Sequence, residues 1–277
     1  MGFFSNFVCL MSVFRFLCFG SGSSGNCFYF QNEKGAFLID AGVGIRKMAK
    51  YFVMYGISHQ NIKGIFLTHD HIDHVCAAYS LSTKYSIPVH ATRDVWKGLD
   101  ANPVIRQKIP VEYRRVIDKN APMAFLGCQL TPFEVPHDSR DNVGYYITYG
   151  DIRLALVTDD GSVTDEIHSF LSRANHLIIE SNYDEEMLRN GPYPAMLKRR
   201  IFGLNGHLSN REAAETVKRH YSHLSHVWLC HISANNNTPQ NALNEVIRAL
   251  AQEDVEEQSF PKITALNRTS PTGFFDL

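Results

Sequence analysis

The sequence has no excess charge of either sign. Its 277 residues carry 27 Lys+Arg against 28 Asp+Glu, for a formal net charge of −1. A global electrostatic footprint for a polyanion is thereby excluded, and any nucleic acid would have to meet local clusters such as Arg46/Lys47/Lys50, Arg114/Arg115 or Lys198/Arg199/Arg200. Cysteine is sparse. Cys9, Cys18, Cys27, Cys76, Cys128 and Cys230 form no Cys-x-x-Cys pair and lack the density of a disulfide-stapled scaffold, so they read as buried thiols in a reducing, cytoplasmic setting. No apolar run is long enough for a membrane span. The N-terminal MGFFSNFVCLMSVFRFLCFG is broken by Arg15, and no Lys or Arg precedes it as in a signal peptide. Met11 reads as an alternative start, leaving residues 1–10 as a disordered or artefactual extension. No low-complexity linker or short repeat divides the rest, and residues 11–277 are expected to form a single domain.

What is present is a regular alternation. Apolar runs rich in β-branched and aromatic residues predict strands at Val13–Phe19, Cys27–Phe30, Ala36–Ile39, Gly64–Leu67, Leu130–Val135, Val143–Thr148, Ile152–Val157, Leu177–Ile179 and Val227–Leu229. Helical spacing predicts helices near Ile45–Tyr55, Val75–Tyr85, Thr164–Ser172, Tyr193–Phe202, Asn210–Tyr221 and Pro239–Ala251, the last begun by Thr238-Pro239. Strands mixed with helices throughout imply an α/β fold with helices outside the sheets. Trp96–Phe125 shows no clear period and is expected to be a surface excursion.

The stretch THDHIDH, Thr68 to His74, packs three histidines and two aspartates into one loop. It follows the strand Gly64–Leu67, where alternate residues share a side, so His69 and His71 face one point and Asp73 and His74, past the turn, can face another. Two such points suit a pair of ions about 3.5–4 Å apart. One loop cannot fill both coordination shells. Three more strand ends carry candidates: His137 after FEVP, Asp159 after LALVT and His231 after VWLC. A lone histidine at a strand end says little, whereas the same class of side chain at four strand ends is a constellation. Asp160 competes with Asp159, which directly follows its strand. Asp70 is expected to be a solvated loop residue, and Cys230 a core residue facing away from His231.

With these ligands in view, the chain resembles the metallo-β-lactamase fold superfamily over nearly its whole length. The resemblance implies a four-layer αββα sandwich holding two divalent metal ions, Zn²⁺ or Mn²⁺. It implies that His69, His71 and His137 hold the first metal, that Asp73, His74 and His231 hold the second, and that Asp159 bridges them. The β-lactamases of this fold commonly place a cysteine where Asp159 stands, so the ligand set is closer to the hydrolase and nuclease branches. GSGSSGN (Gly20–Asn26), LIDAG (Leu38–Gly42), PHD (Pro136–Asp138), ESNYD (Glu180–Asp184), GHLSN (Gly206–Asn210) and LCHISANNNTP (Leu229–Pro239) together resemble the bacterial YycJ/WalJ/VicX group. ESN and GHLS are more loosely similar to motifs of tRNase Z.

That group implies metal-assisted hydrolysis of a phosphodiester by a 5′-to-3′ exonuclease, acting on DNA in preference to RNA and away from any membrane. The catalytic roles would fall to Asp73, as a ligand that tunes the nucleophile, and to His207, a proton donor to the leaving oxygen oriented by Glu180. Ser21, Ser23, Ser24 and Asn26, on a Gly/Ser loop with exposed amides, would bind phosphate. Two other readings keep the ligands: a thioester or lactone hydrolase of the glyoxalase II type, and a metal-bearing regulatory protein with negligible turnover. An acyl hydrolase has little use for the Glu180/His207 pair. Oligomeric state is not legible.

Overall fold

The computed structural model describes residues 13–253 and 259–277. The expected extension at residues 1–10, the alternative start Met11 and Cys9 lie outside the described residues. Strands β1 (Arg15–Gly20), β2 (Cys27–Asn32), β3 (Gly35–Ile39), β4 (Ile62–Phe66), β5 (Val89–Ala91), β6 (Arg114–Val116) and β14 (Phe274–Asp276) form one sheet in the order β14-β1-β2-β3-β4-β5-β6. Strands β7 (Met123–Phe125), β8 (Cys128–Glu134), β9 (Val143–Tyr149), β10 (Ile152–Val157), β11 (His176–Glu180), β12 (His226–Cys230) and β13 (Lys262–Ala265) form the other, in the order β13-β12-β11-β10-β9-β8-β7.

The period of two along each strand explains the layers. On β2, Phe28 and Phe30 face the second sheet while Cys27 and Tyr29 face outward, and on β12 Trp228 and Cys230 point inward while Val227 and Leu229 point out. Both sets are buried because helices cover both outer faces, which is why these strands read as continuous apolar runs. On the first sheet's outer face lie α1 (Ile45–Met54), α3 (Ala78–Tyr85) and α4 (Arg93–Ala101), through Met48, Phe52, Leu81, Val95 and Leu99. On the second lie α5 (Asp165–Leu171), α8 (Asn210–His220) and α9 (Pro239–Leu250), through Leu171, Val217 and Val246. The result is the expected αββα sandwich. No helix among the described residues is long and apolar enough to cross a membrane.

Four expectations need correction. Trp96–Phe125 is not a surface excursion. It completes α4 and supplies β6 and β7, and Trp96, Leu99, Ile109 and Ile117 are buried. A nine-residue helix capped by Thr92 is too short to show a strong period, and these strands have three residues each. The helix expected at Val75–Tyr85 is two, α2 (Ile72–Val75) and α3, because the chain must turn once after delivering Asp73 and His74. Asp70 is buried rather than solvated, with its Oδ1 unpartnered, and it packs against Gly98 of α4, where a Cβ would collide with its carboxylate. Cys76 is exposed, unlike the other described cysteines.

Strand direction sets the position of the functional groups. Strand β1 runs antiparallel to β2 and β2 antiparallel to β3, while β3 and β4 are parallel, so the carboxyl ends of β1, β3 and β4 share one edge. In the other sheet β10, β11 and β12 are parallel, and β8 reaches the same sense through two antiparallel steps. Open α/β sheets bind ligands outside such carboxyl ends.

Candidate metal centre

Five strand ends deliver the site. After β4 come Thr68, His69 and His71. Asp73 and His74 follow on α2, His137 lies beyond β8, Asp159 beyond β10 and His231 beyond β12. The fifth end is that of β3, where Asp40 stands. Asp40, Asp159 and His231 all have left-handed backbones, with φ of 59°, 53° and 51°. Each turns its chain sharply at the strand end, at a cost on the order of 1–3 kcal/mol. Local bonds hold them there. Asp40 Oδ1 accepts from the Thr68 amide at 2.9 Å, the Asp159 carbonyl accepts from Asn142 Nδ2 at 2.8 Å, and the His231 amide donates to Ser21 Oγ at 2.8 Å.

The expected ligands fall into overlapping groups. Donor atoms of His69, His71 and His137 lie within 4.8 Å of one another, and so do those of Asp73, His74 and His231. Asp159 lies between the groups. Its Oδ2 is 3.1 Å from His74 Nε2, and its Oδ1 is 3.5 Å from His231 Nδ1 and 3.8 Å from His137 Nε2. Asp160 is buried beside it but turns its Oδ1 to the Ser162 amide and stands outside these groups.

The imidazoles are prepared for metal. In His137 the Nδ1–H donates to the Gly206 carbonyl at 2.9 Å, in His231 Nδ1 meets Glu180 Oε1 at 2.6 Å, and in His74 Nδ1 meets Asp40 Oδ2 at 2.7 Å. Holding Nδ1 leaves the Nε2 lone pair for a cation. The Nε2 atoms of His69, His137 and His231 are buried with no hydrogen-bond partner, an arrangement that costs stability unless something binds them. The residues present therefore fit a divalent cation.

Charge agrees with that reading. Burial works against a charged His74, but Asp159 and Asp40 outweigh it and hold its pKa well above the ordinary value. His231 is likewise pushed up to about 10 against burial, by Asp159, by the nearby Asp73 carboxylate and by its bond to Glu180. Burial also opposes ionisation of Glu180, yet His207 and His231 bring it down to about 2. Carboxylates that hold protons on these rings so firmly would hold a metal cation in their place. His69, by contrast, is kept neutral by burial first and then by His74.

Glu180 and His207 join the cluster, their donor atoms within 4.8 Å of those of Asp159 and His231. Glu180 Oε1 meets His207 Nδ1 at 2.9 Å, and its Oε2 accepts from the amides of Asp160 at 2.9 Å and Leu208 at 3.1 Å. The Gly/Ser loop divides into two parts. Asn26 is buried against the metal ligands, with Nδ2 2.8 Å from His74 Nε2 and 3.5 Å from Asp73 Oδ2. Ser21 is buried, and its hydroxyl oxygen accepts from the His231 amide. Ser23 and Ser24 are exposed.

Asp40 is the residue the strand-end argument overlooked, although it follows the apolar run of β3 just as Asp159 follows β10. Asp40→Asn tolerates the left-handed backbone but presents no full carboxylate to His74. It should weaken metal binding at the His74 position by about 10–100-fold and spare the His69/His71/His137 position. Competition with a chromophoric chelator checks this, and two unchanged affinities would reject the orienting role.

The Beta-lactamase superfamily domain matches residues 36–232. The chain is 30% identical over 247 residues to the exodeoxyribonuclease YycJ of Bacillus anthracis, covering 89% of this chain and 90% of that one. It is 30% identical over 243 residues to the exodeoxyribonuclease WalJ of Streptococcus pneumoniae, covering 87% and 90%. Among solved structures, Zn²⁺-bound PqqB from Methylobacterium extorquens superimposes with a TM-score of 0.72 at 17% identity, covering 95% of this chain and 100% of that one.

Proposed function

The chain belongs to the β-lactamase superfamily and is a metal-dependent hydrolase of that fold, and from this premise we propose that it is a dinuclear phosphodiesterase degrading DNA from the 5′ end. The observation that carries the substrate is the 30% identity to two exodeoxyribonucleases over nearly their full length. His69, His71 and His137 would hold one ion, Asp73, His74 and His231 the other, with Asp159 shared. Zn²⁺ or Mn²⁺ bound there supplies Lewis acidity and a water of lowered pKa. The chain's own groups do the rest. Asp40, Gly206 and Glu180 fix the imidazoles, the half-buried His207 carries a proton to the departing 3′-oxygen, and the Gly/Ser loop receives substrate phosphate at Ser23 and Ser24 beside Asn26.

Ser21 has a supporting role in this scheme. Buried, with its hydroxyl oxygen accepting from the His231 amide, it positions that ligand, and phosphate falls to the exposed Ser23 and Ser24.

Incubation of the metal-loaded enzyme with duplex DNA labelled at either end is the test. The expected result is stepwise loss from 5′ ends, slower action on RNA and abolition by chelator. Turnover confined to thioesters or lactones, or no turnover with either metal, would sink the proposal.

A further inference from the structure

Arg268 lies in the segment between β13 and β14, which no part of the proposed chemistry uses. Its backbone is tied to the active edge, since the Ser21 amide donates to the carbonyls of Asn267 and Arg268, both at 3.2 Å, and the Ser21 hydroxyl holds His231. Its side chain folds over the Gly/Ser loop. A methyl group added at Gly22 would lie 3.5 Å from Arg268 Nε, 3.8 Å from its Cγ and 3.6 Å from the carbonyl oxygen of Ile232, the residue after His231. The side chain thus lies in van der Waals reach of the loop backbone at Gly22.

Arg268 Nε is buried without a hydrogen-bond partner, and among the described residues no carboxylate pairs with the guanidinium. A partly buried guanidinium is ordinarily compensated, because desolvating a permanent charge is costly. The neighbourhood adds positive charge instead. Lys47, on α1, donates to the carbonyl oxygen of Thr269, which fixes an ammonium beside the same segment. Exposed Ser23 and Ser24 supply hydroxyl donors on the loop below.

The geometry points to Arg268 as a binding residue for a second phosphate of the substrate strand, the one adjoining the phosphate that is cleaved. This rests on the phosphodiesterase reading. Chemistry recommends phosphate, because the guanidinium fork matches its oxygens and a strand crossing the metal centre carries phosphates on both sides. The 5′-terminal phosphate and the next internal phosphodiester share that chemistry.

The test compares wild type, Arg268→Ala and Arg268→Lys on four substrates: bis(4-nitrophenyl) phosphate, dTpdT, the 5′-phosphorylated pdTpdT and the 3′-phosphorylated dTpdTp. Arg268→Ala should leave the first two unchanged. It should lower kcat/KM about 10–100-fold, mainly through KM, on whichever dinucleotide presents the contacted phosphate. Loss with pdTpdT assigns the terminal phosphate, and loss with dTpdTp the internal one. Lysine should recover part of the loss, and on longer DNA the salt dependence of kcat/KM should become shallower by about one unit of slope for Arg268→Ala.

Unchanged activity on the aryl ester reports a folded site. A parallel fall on all four substrates would reduce Arg268 to a structural tie, and no change on either phosphorylated dinucleotide would overturn the proposal. If the wild type cleaves no DNA, the nuclease reading fails separately, and affinity for a labelled oligothymidylate decides the matter. Weaker binding by Arg268→Ala supports the phosphate site, and equal binding overturns it.

Discussion

Replacing His207 by alanine should leave metal content intact and lower DNA turnover by about two to four orders of magnitude, while hydrolysis of an aryl phosphodiester falls much less. The argument begins with the leaving group. A deoxyribose alkoxide needs a proton as the P–O bond breaks, whereas a nitrophenolate departs unaided. His207 stands where such a donor belongs. Its Nδ1 is held by Glu180, its side chain is 17% exposed among neighbours of almost no exposure, and its ring centre lies 5.1 Å from that of His137 and 5.2 Å from that of His231. Loss of metal in the variant would make His207 a ligand. Equal losses on the two substrates would reduce it to substrate positioning.

The neighbouring carboxylate should behave differently. Glu180 serves His207 and also His231, and both of its oxygens are used, with the amides of Asp160 and Leu208 on Oε2. Glu180→Gln must present an NH₂ where one of these donors now points. Some metal affinity should therefore be lost along with the proton donor. From the sequence alone Glu180 appears as a partner of His207, because ESN and GHLSN are separate motifs and nothing in their spacing reveals that both reach the end of β12.

That contrast shows what the chain made legible. Strands such as β2, β10 and β12 were readable because the opposite sheet buries one face and helices bury the other, so the apolar run is continuous. The ligands were readable because each directly follows such a run. Asp40 obeys the same rule at the end of β3 and could have been found by applying it once more. Other features had no local signal. Asp70 is buried only because α4, itself hidden in a weakly periodic stretch, brings Gly98 against it. Ser21 looked like its loop neighbours until the fold brought His231, 210 positions away, to its hydroxyl. Arg268 became notable only once β12 and the Gly/Ser loop lay beside it.

The largest loss is expected at Asp159, and asparagine is the informative replacement. Alanine would strain the left-handed backbone at φ 53° and confuse folding with chemistry, while asparagine tolerates that conformation and keeps the side chain's shape. The substitution thus isolates the charge. One Asp159 oxygen faces His74 at 3.1 Å and the other faces His231 and His137, so among the described residues this carboxylate is the one that reaches both ligand groups. Asp73 reaches only the second group, at 3.8 Å from His74 and 3.9 Å from His231. Metal content should therefore fall from about two ions per chain towards none in Asp159→Asn, and towards one in Asp73→Asn. Exonuclease activity should be nearly abolished in the first variant and strongly reduced in the second. Elemental analysis after dialysis against buffered metal separates the cases. Full occupancy in Asp159→Asn would show that the shared carboxylate is dispensable, and equal depletion in both variants would show that the two ligand groups bind as one cooperative unit rather than as the two positions proposed for them.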